Sequence, residues 1–173
     1  MNLIITCPRH FEEEASQEIQ KIITMFGDDG SQITISDMPG ILTAETILEP
    51  LDIIQKLREK IVDEPWSIRY CLRIIPIHGN CPTDINEITD EILKNIGKIK
   101  SDDSYRITIE KRNSNISSEE IISNIAKNIP NKVSLNNPDW VFLVEIIGNQ
   151  AGVAIIPDNA ILSVEKVKRS LSD

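Results

Sequence analysis

The apolar residues of this chain keep two rhythms in turn, and Pro and Gly mark almost every change between them. Stretches with an apolar residue every three to four positions read as amphipathic helices, and stretches with every second residue apolar read as half-buried strands. Such a succession confines the chain to mixed α/β folds. Isoleucine is roughly one residue in five, while aromatics are only 4%. The core must therefore be built from β-branched aliphatics, which suit strands and tolerate helices.

The first stretch gives a complete unit. Residues 2–7 read as a short strand, and Pro8 stands where a helix begins, with Glu12, Glu13 and Glu14 favouring its positive end. Phe11, Ala15, Ile19, Ile22, Ile23 and Phe26 form its apolar face up to Gly27. Ile33 and Ile35 mark a strand, Met38-Pro39-Gly40 a turn, and residues 41–47 another strand. Pro50 opens a second helix carrying Leu51, Ile54, Leu57 and Ile61, which stops before Pro65, and residues 68–77 are the next strand. The order is βαββαβ, the ferredoxin-like unit, with one sheet face under helices and the other free for a partner.

Residues 79–82 mark a boundary, which assigns 1–78 to the first domain and 79–173 to the second. Thr83 is placed to cap a helix with Ile85, Ile88, Ile92, Leu93 and Ile96 that ends near Gly97. Residues 104–110 alternate as a strand, followed by a basic-polar loop, Lys111-Arg112-Asn113-Ser114-Asn115. Ser117-x-x-Glu120 is a capping box for a helix with Ile121, Ile122, Ile125 and Ile129, up to Pro130. Val133 and Leu135 precede a turn at residues 136–139. Residues 140–147 form the most continuous apolar strand, and Gly148-Asn149 signals a hairpin into residues 150–156. Residues 163–170 are a basic segment with Lys166, Lys168 and Arg169.

Charge and composition exclude several classes of function. The net charge is −9, which disfavours nucleic acid at first sight, but residues 1–65 carry 13 acidic and 5 basic side chains while the rest is nearly balanced. A local basic patch is therefore compatible with an acidic chain. No apolar stretch is long enough for a membrane span, and the N-terminus lacks the pattern of a signal peptide, so a cytoplasmic protein is expected. Three cysteines fit a reducing compartment. Cys7, His10, His78 and Cys81 would make a tetrahedral zinc set, but the antiparallel order of the first and last strands puts Cys7 and His78 at opposite ends, roughly 20 Å apart. The fold reading and the metal reading compete, and the fold reading is preferred. Seven glycines, none in G-x-G spacing, give neither a dinucleotide fingerprint nor a P-loop, and no hydrolase motif is present. The expectation is a protein without cofactor and without catalysis of its own.

Four stretches carry a family resemblance: Arg73-Ile74-Ile75-Pro76 with Gly79 and Cys81; Lys111-Arg112-Asn113; residues 132–138; and Val144-Glu145-Ile146-Ile147. Through them residues 80–170 resemble a THUMP domain, an RNA-binding module of tRNA-modification systems. Within that family these stretches resemble the stand-alone adaptors of tRNA cytidine acetylation. The resemblance implies a ferredoxin-like unit upstream, the acceptor end of tRNA as ligand, and a separate RNA cytidine acetyltransferase as partner. DNA and membrane are not expected partners. Lys111 and Arg112, beside the N-terminus of the helix that begins near Ser117, are placed for phosphate, and Asn113, Ser114 and Asn115 for ribose or base edges. Lys166, Lys168 and Arg169 form a second basic group. Arg69 and Arg73, four apart in the strand of residues 68–77, share a sheet face and would track a phosphate backbone; an ion pair with the acidic first unit explains them as well. The competing functional reading is a small-molecule-sensing or protein-interaction module, a role that ferredoxin-like units also serve.

Overall fold

A computed structural model describes residues 1–172 and divides the chain into two compact units, residues 1–76 with 159–172 and Ile77–Asp158. In chain order the elements begin β1 (Leu3–Thr6), α1 (Glu12–Met25), β2 (Gln32–Ile35), β3 (Ile41–Glu45), α2 (Pro50–Asp63) and β4 (Arg73–Pro76). Next come β5 (Gly79–Pro82), α3 (Ile85–Lys94), β6 (Tyr105–Arg112), α4 (Ser118–Ala126), β7 (Trp140–Ile147) and β8 (Gln150–Ile156). A two-residue strand, β9 (Leu162–Ser163), and the helix α5 (Val164–Ser170) close the described chain.

The first unit is an antiparallel sheet in the order β2-β3-β1-β4-β9. Its first four strands with α1 and α2 have the ferredoxin-like arrangement expected from the βαββαβ order. Leu3 and Ile5 of β1 meet Ala15, Ile19 and Ile23 of α1 and Ile53, Leu57 and Ile61 of α2 in one buried cluster. Helix α1 starts at Glu12, not Pro8. Residues 8–10 form a turn instead, in which the Phe11 N–H donates to the Pro8 carbonyl (3.1 Å) and His10 adopts φ +75°. The turn before β3 needs Gly40: φ is +77°, and a Cβ there would stand 2.6 Å from the Cys7 carbonyl oxygen.

Two departures from the sequence reading shape the surface of this unit. The strand expected over residues 68–77 contains only Arg73–Pro76. The Glu18 carboxylate of α1 takes the N–H groups of Arg69, Tyr70 and Cys71 at 2.6, 3.0 and 2.8 Å, so these residues form a clamped loop after a 3-10 turn at Pro65–Ser67. Arg69 and Arg73 therefore do not share a strand. The tail is the other difference. Residues 159–172, read with the second domain, return to the first unit: Arg73 and Ile74 pair with Ser163 and Leu162, and Val164 and Val167 of α5 join the first core. Burial of Leu162, Val164 and Val167 drives that return.

The second unit is a sheet in the order β5-β8-β7-β6, with β6 parallel to β7 and the other pairs antiparallel. Phe142, Val144 and Ile146 of β7 pack with Ile88 and Ile92 of α3 and Ile121 and Ile125 of α4. The hairpin appears as read, with Ile147 opposite Gln150 and Gly148 at φ +60°. The expected boundary at residues 79–82 is itself a strand, β5, paired with β8. Asp84, rather than Thr83, caps α3, accepting from the N–H groups of Asn86 and Glu87. The Thr83 hydroxyl instead donates to the Gly148 carbonyl at 2.9 Å.

Candidate nucleic-acid interface

The basic loop of the second unit is more ordered than its composition announces. Strand β6 runs through Lys111 and Arg112, whose carbonyl accepts from the Gly148 N–H at 2.9 Å. Asn113 turns the chain at φ +54°, a conformation that Asn tolerates better than most residues. The Ser114 hydroxyl accepts from the Ile116 N–H, and Ser117 caps α4 by accepting from the Glu120 N–H at 3.2 Å. The exposed Lys111 ammonium donates to the Ile116 carbonyl at 2.8 Å. Arg112 is not an exposed cation: its guanidinium, 18% exposed, donates at 2.7 Å to Glu145, which is 1% exposed in β7. Lys111, Asn113 and Asn115 are what this loop offers to solvent.

The other five candidates all belong to the first unit. Residues 66–76 and 159–172 together hold Arg69, Arg73, Lys166, Lys168 and Arg169 against one acidic residue, Glu165. The fold joins the two segments. Arg73 stands opposite Ser163, the residue that caps α5 by accepting from the Lys166 N–H, and the Lys168 ammonium donates to the Ile68 carbonyl. Lys166 is exposed. Arg169 pairs with Glu165 at 2.6 Å with both side chains largely in water, a contact of about 0.5 kcal/mol that a phosphate can displace. The ten candidates thus form two groups, one in each unit.

Aromatic rings join the first-unit group. Tyr70 stacks on Phe11 with centroids 5.6 Å apart and planes 25° from parallel, and the Arg69 guanidinium carbon lies 5.8 Å from the Tyr70 centroid. Phe11 is 44% exposed, although its spacing reads as part of the buried face of α1. The available signal was its place just before three glutamates, at the helix cap and outside the helix. Trp66, in the 3-10 turn, is 71% exposed. Trp140 stays with the second core: its indole N–H donates to Asp103 at 2.9 Å, and Lys98 lies over its ring at 5.4 Å.

The cysteines have little thiolate character. Burial pushes the Cys7 and Cys81 thiols up to about 11, with neighbouring glutamates adding to the shift. Burial and then Glu18 push Cys71 higher still. In the first unit Leu3 stands opposite Pro76 and Thr6 opposite Arg73, so the strand ends that adjoin Cys7 and His78 are opposite ends. Among the described residues no group of three or more His, Cys, Asp or Glu is placed to hold a metal ion, and no helix is long and apolar enough to cross a membrane.

Fold and sequence comparisons define the class. Residues 82–156, nearly all of the second unit, match the family model described as the THUMP domain. THUMP domain-containing protein 1 of Mus musculus is 28% identical over 139 residues, which is 73% of this chain and 40% of that protein. An uncharacterized protein of Methanocaldococcus jannaschii is 27% identical over 176 residues, covering 98% of this chain and 45% of that one. The chain spans less than half the length of these curated relatives. Among solved structures, a Pyrococcus horikoshii protein aligns with a TM-score of 0.68 at 17% identity, over 90% of this chain and 54% of that one. A 4-thiouridine synthetase in complex with RNA and ATP aligns at 0.59 and 15% identity, over 94% of this chain and 42% of that one.

Proposed function

We propose that this chain is a tRNA-binding adaptor that presents tRNA, by its acceptor end, to a separate RNA cytidine acetyltransferase in the cytoplasm, without chemistry of its own. The observation that carries the reading is a THUMP domain joined to a unit whose cations are gathered into two segments that the fold brings together. A nucleic-acid ligand explains that gathering in a chain of net charge −9, because phosphate contacts need local positive charge, whatever the total. The RNA complex of the similarly folded thiouridine synthetase supports the ligand class. The excess of acid over residues 1–65 suits a docking surface for a basic partner protein. The acetyltransferase partner rests on the resemblance in the four stretches around Arg73, Lys111, Lys132 and Val144.

Reconstitution with purified components tests this. With the acetyltransferase, ATP, acetyl-CoA and limiting tRNA, adding the chain should raise acetylated cytidine, read by mass spectrometry, through a higher effective concentration of tRNA at the enzyme. Equal product with and without the chain would remove the adaptor role. Product from the chain alone would show an active site.

A further inference from the structure

Where a chain places its few aromatic rings is informative when its cores are built from isoleucine. Tyr105 and Phe142 are the two rings buried in the second core, at a centroid distance of 4.6 Å. Phe11, by contrast, is held at the surface of the first unit, stacked on Tyr70 beside Arg69. At 44% exposure, part of the Phe11 ring stays open to solvent while the rest is covered.

The stack is also preorganised. Helix α1 supplies both halves of its support: Phe11 at the cap and Glu18 seven residues on, two helical turns along the same face. Glu18 accepts from the N–H groups of Arg69, Tyr70 and Cys71, so the segment that carries Tyr70 and Arg69 is fixed from the backbone outward. Cys71 anchors it from below, buried with its thiol toward the Ala15 carbonyl at 3.7 Å. A rigid ring pair with a guanidinium beside it offers a π-face and a cation at one place. An unpaired nucleotide presents the complement: a flat base on a negatively charged backbone. Glu12, Glu13 and Glu14 follow Phe11 directly and disfavour phosphate there, so the backbone of the bound segment falls to the cations joined to the Tyr70 segment, Arg73 opposite Ser163 and Lys168 on the Ile68 carbonyl.

From this geometry we infer that the Phe11–Tyr70–Arg69 stack is a platform on which the first unit holds one unpaired base of a single-stranded RNA segment. The inference rests on the tRNA-binding reading and adds to it a place and a mode of contact outside the THUMP domain.

The test uses the full chain and three RNAs: total tRNA, a single-stranded oligonucleotide carrying one 2-aminopurine, and a blunt RNA duplex. Phe11→Leu keeps an apolar side chain and removes the ring; Phe11→Tyr keeps the ring. Phe11→Leu should weaken single-strand binding at least about fivefold and abolish the 2-aminopurine quench, while Phe11→Tyr retains both. Duplex binding should not change. The slope of log affinity against log salt should also stay as in wild type, because a stacking contact releases no counterions. Matching thermal melts for the two variants establish that the fold is intact. Wild-type binding to the single strand that survives Phe11→Leu undiminished would overturn the platform while leaving RNA binding in place. A variant that binds every RNA normally but no longer raises cytidine acetylation would overturn it too, by assigning the ring to a protein contact. No RNA binding by the wild type would overturn both readings.

Discussion

Glu18 offers the most direct test of how the first unit sets its surface. Replacing it with Ala removes the acceptor of three backbone donors at 2.6, 3.0 and 2.8 Å. The three are not equal. Arg69 is exposed and its N–H finds water at little cost, Tyr70 is half-buried, and Cys71 is buried. The Cys71 N–H is the group that water does not readily reach, and leaving it unsatisfied costs about 1–3 kcal/mol. With a smaller contribution from Tyr70, the expected loss is about 2–4 kcal/mol. Glu18→Gln keeps one acceptor oxygen and loses the charge, so it should fall about halfway. Urea denaturation followed by circular dichroism measures the loss. Hydrogen exchange on a peptide spanning residues 69–73 locates it, since those amides should exchange faster in Glu18→Ala while the α2 amides change less. An Ala variant within about 0.5 kcal/mol of wild type, with unchanged exchange at residues 69–71, would refute the account given for the shortening of β4.

Arg112→Ala takes from the buried Glu145 one charged partner at 2.7 Å and should destabilise by about 2–3 kcal/mol, whereas Lys111→Ala, on an exposed side chain, should stay within about 1 kcal/mol; urea midpoints of the two single variants check this. Of the two, Lys111→Ala is the clean probe of RNA contact and should lower the salt slope of tRNA binding by about 0.7 to 0.9. Asp28 is held below the usual carboxylate range, first by the Thr46 hydroxyl and then by the Ile47 and Gly30 amides. A lowered folded-state value means that its stabilisation is complete above about pH 4 and drains away as pH falls through that value. The Asp28→Asn variant should lose this part of the acid limb in pH-dependent melting.

Much of the fold was legible because local signals and tertiary packing agree in it. Pro50, the Ser117 cap and the Gly148-Asn149 hairpin each act within a few residues, and each appears where its chemistry places it. The failures share a cause of the opposite kind. Residues 69–71 have strand composition, but a carboxylate 51 to 53 positions earlier claims their N–H groups. Residues 162–163 are too short to show alternation and become a strand only because β4 has a free edge. The candidate site was legible as residue types and not as arrangement. Lys111 and Arg112 look alike in the sequence, and only the inward-facing Glu145, hidden in a run of apolar neighbours, separates the exposed cation from the buried pair. Phe11 fits helical spacing, and no periodicity reports that the turn at residues 8–10 starts the helix one residue beyond it.

The return of residues 159–172 to the first unit sets a schedule for biosynthesis. When a ribosome has completed β4, the strand that will cover its outer edge does not yet exist, and the 82 residues of Ile77–Asp158 must be polymerised first. At about 5–20 residues per second that takes roughly 4–16 s. Throughout that interval the Leu72 carbonyl lacks the Val164 N–H that later donates to it at 2.9 Å, and the sites that Leu162, Val164 and Val167 fill are open to water. The nascent first unit thus presents a bare sheet edge beside an incomplete apolar core, the kind of surface that pairs with other chains or recruits a holdase. Synonymous codons that slow translation between residues 77 and 158 lengthen that exposure, so they should lower soluble yield more than the same slowing placed before residue 73, when β4 has not yet been made.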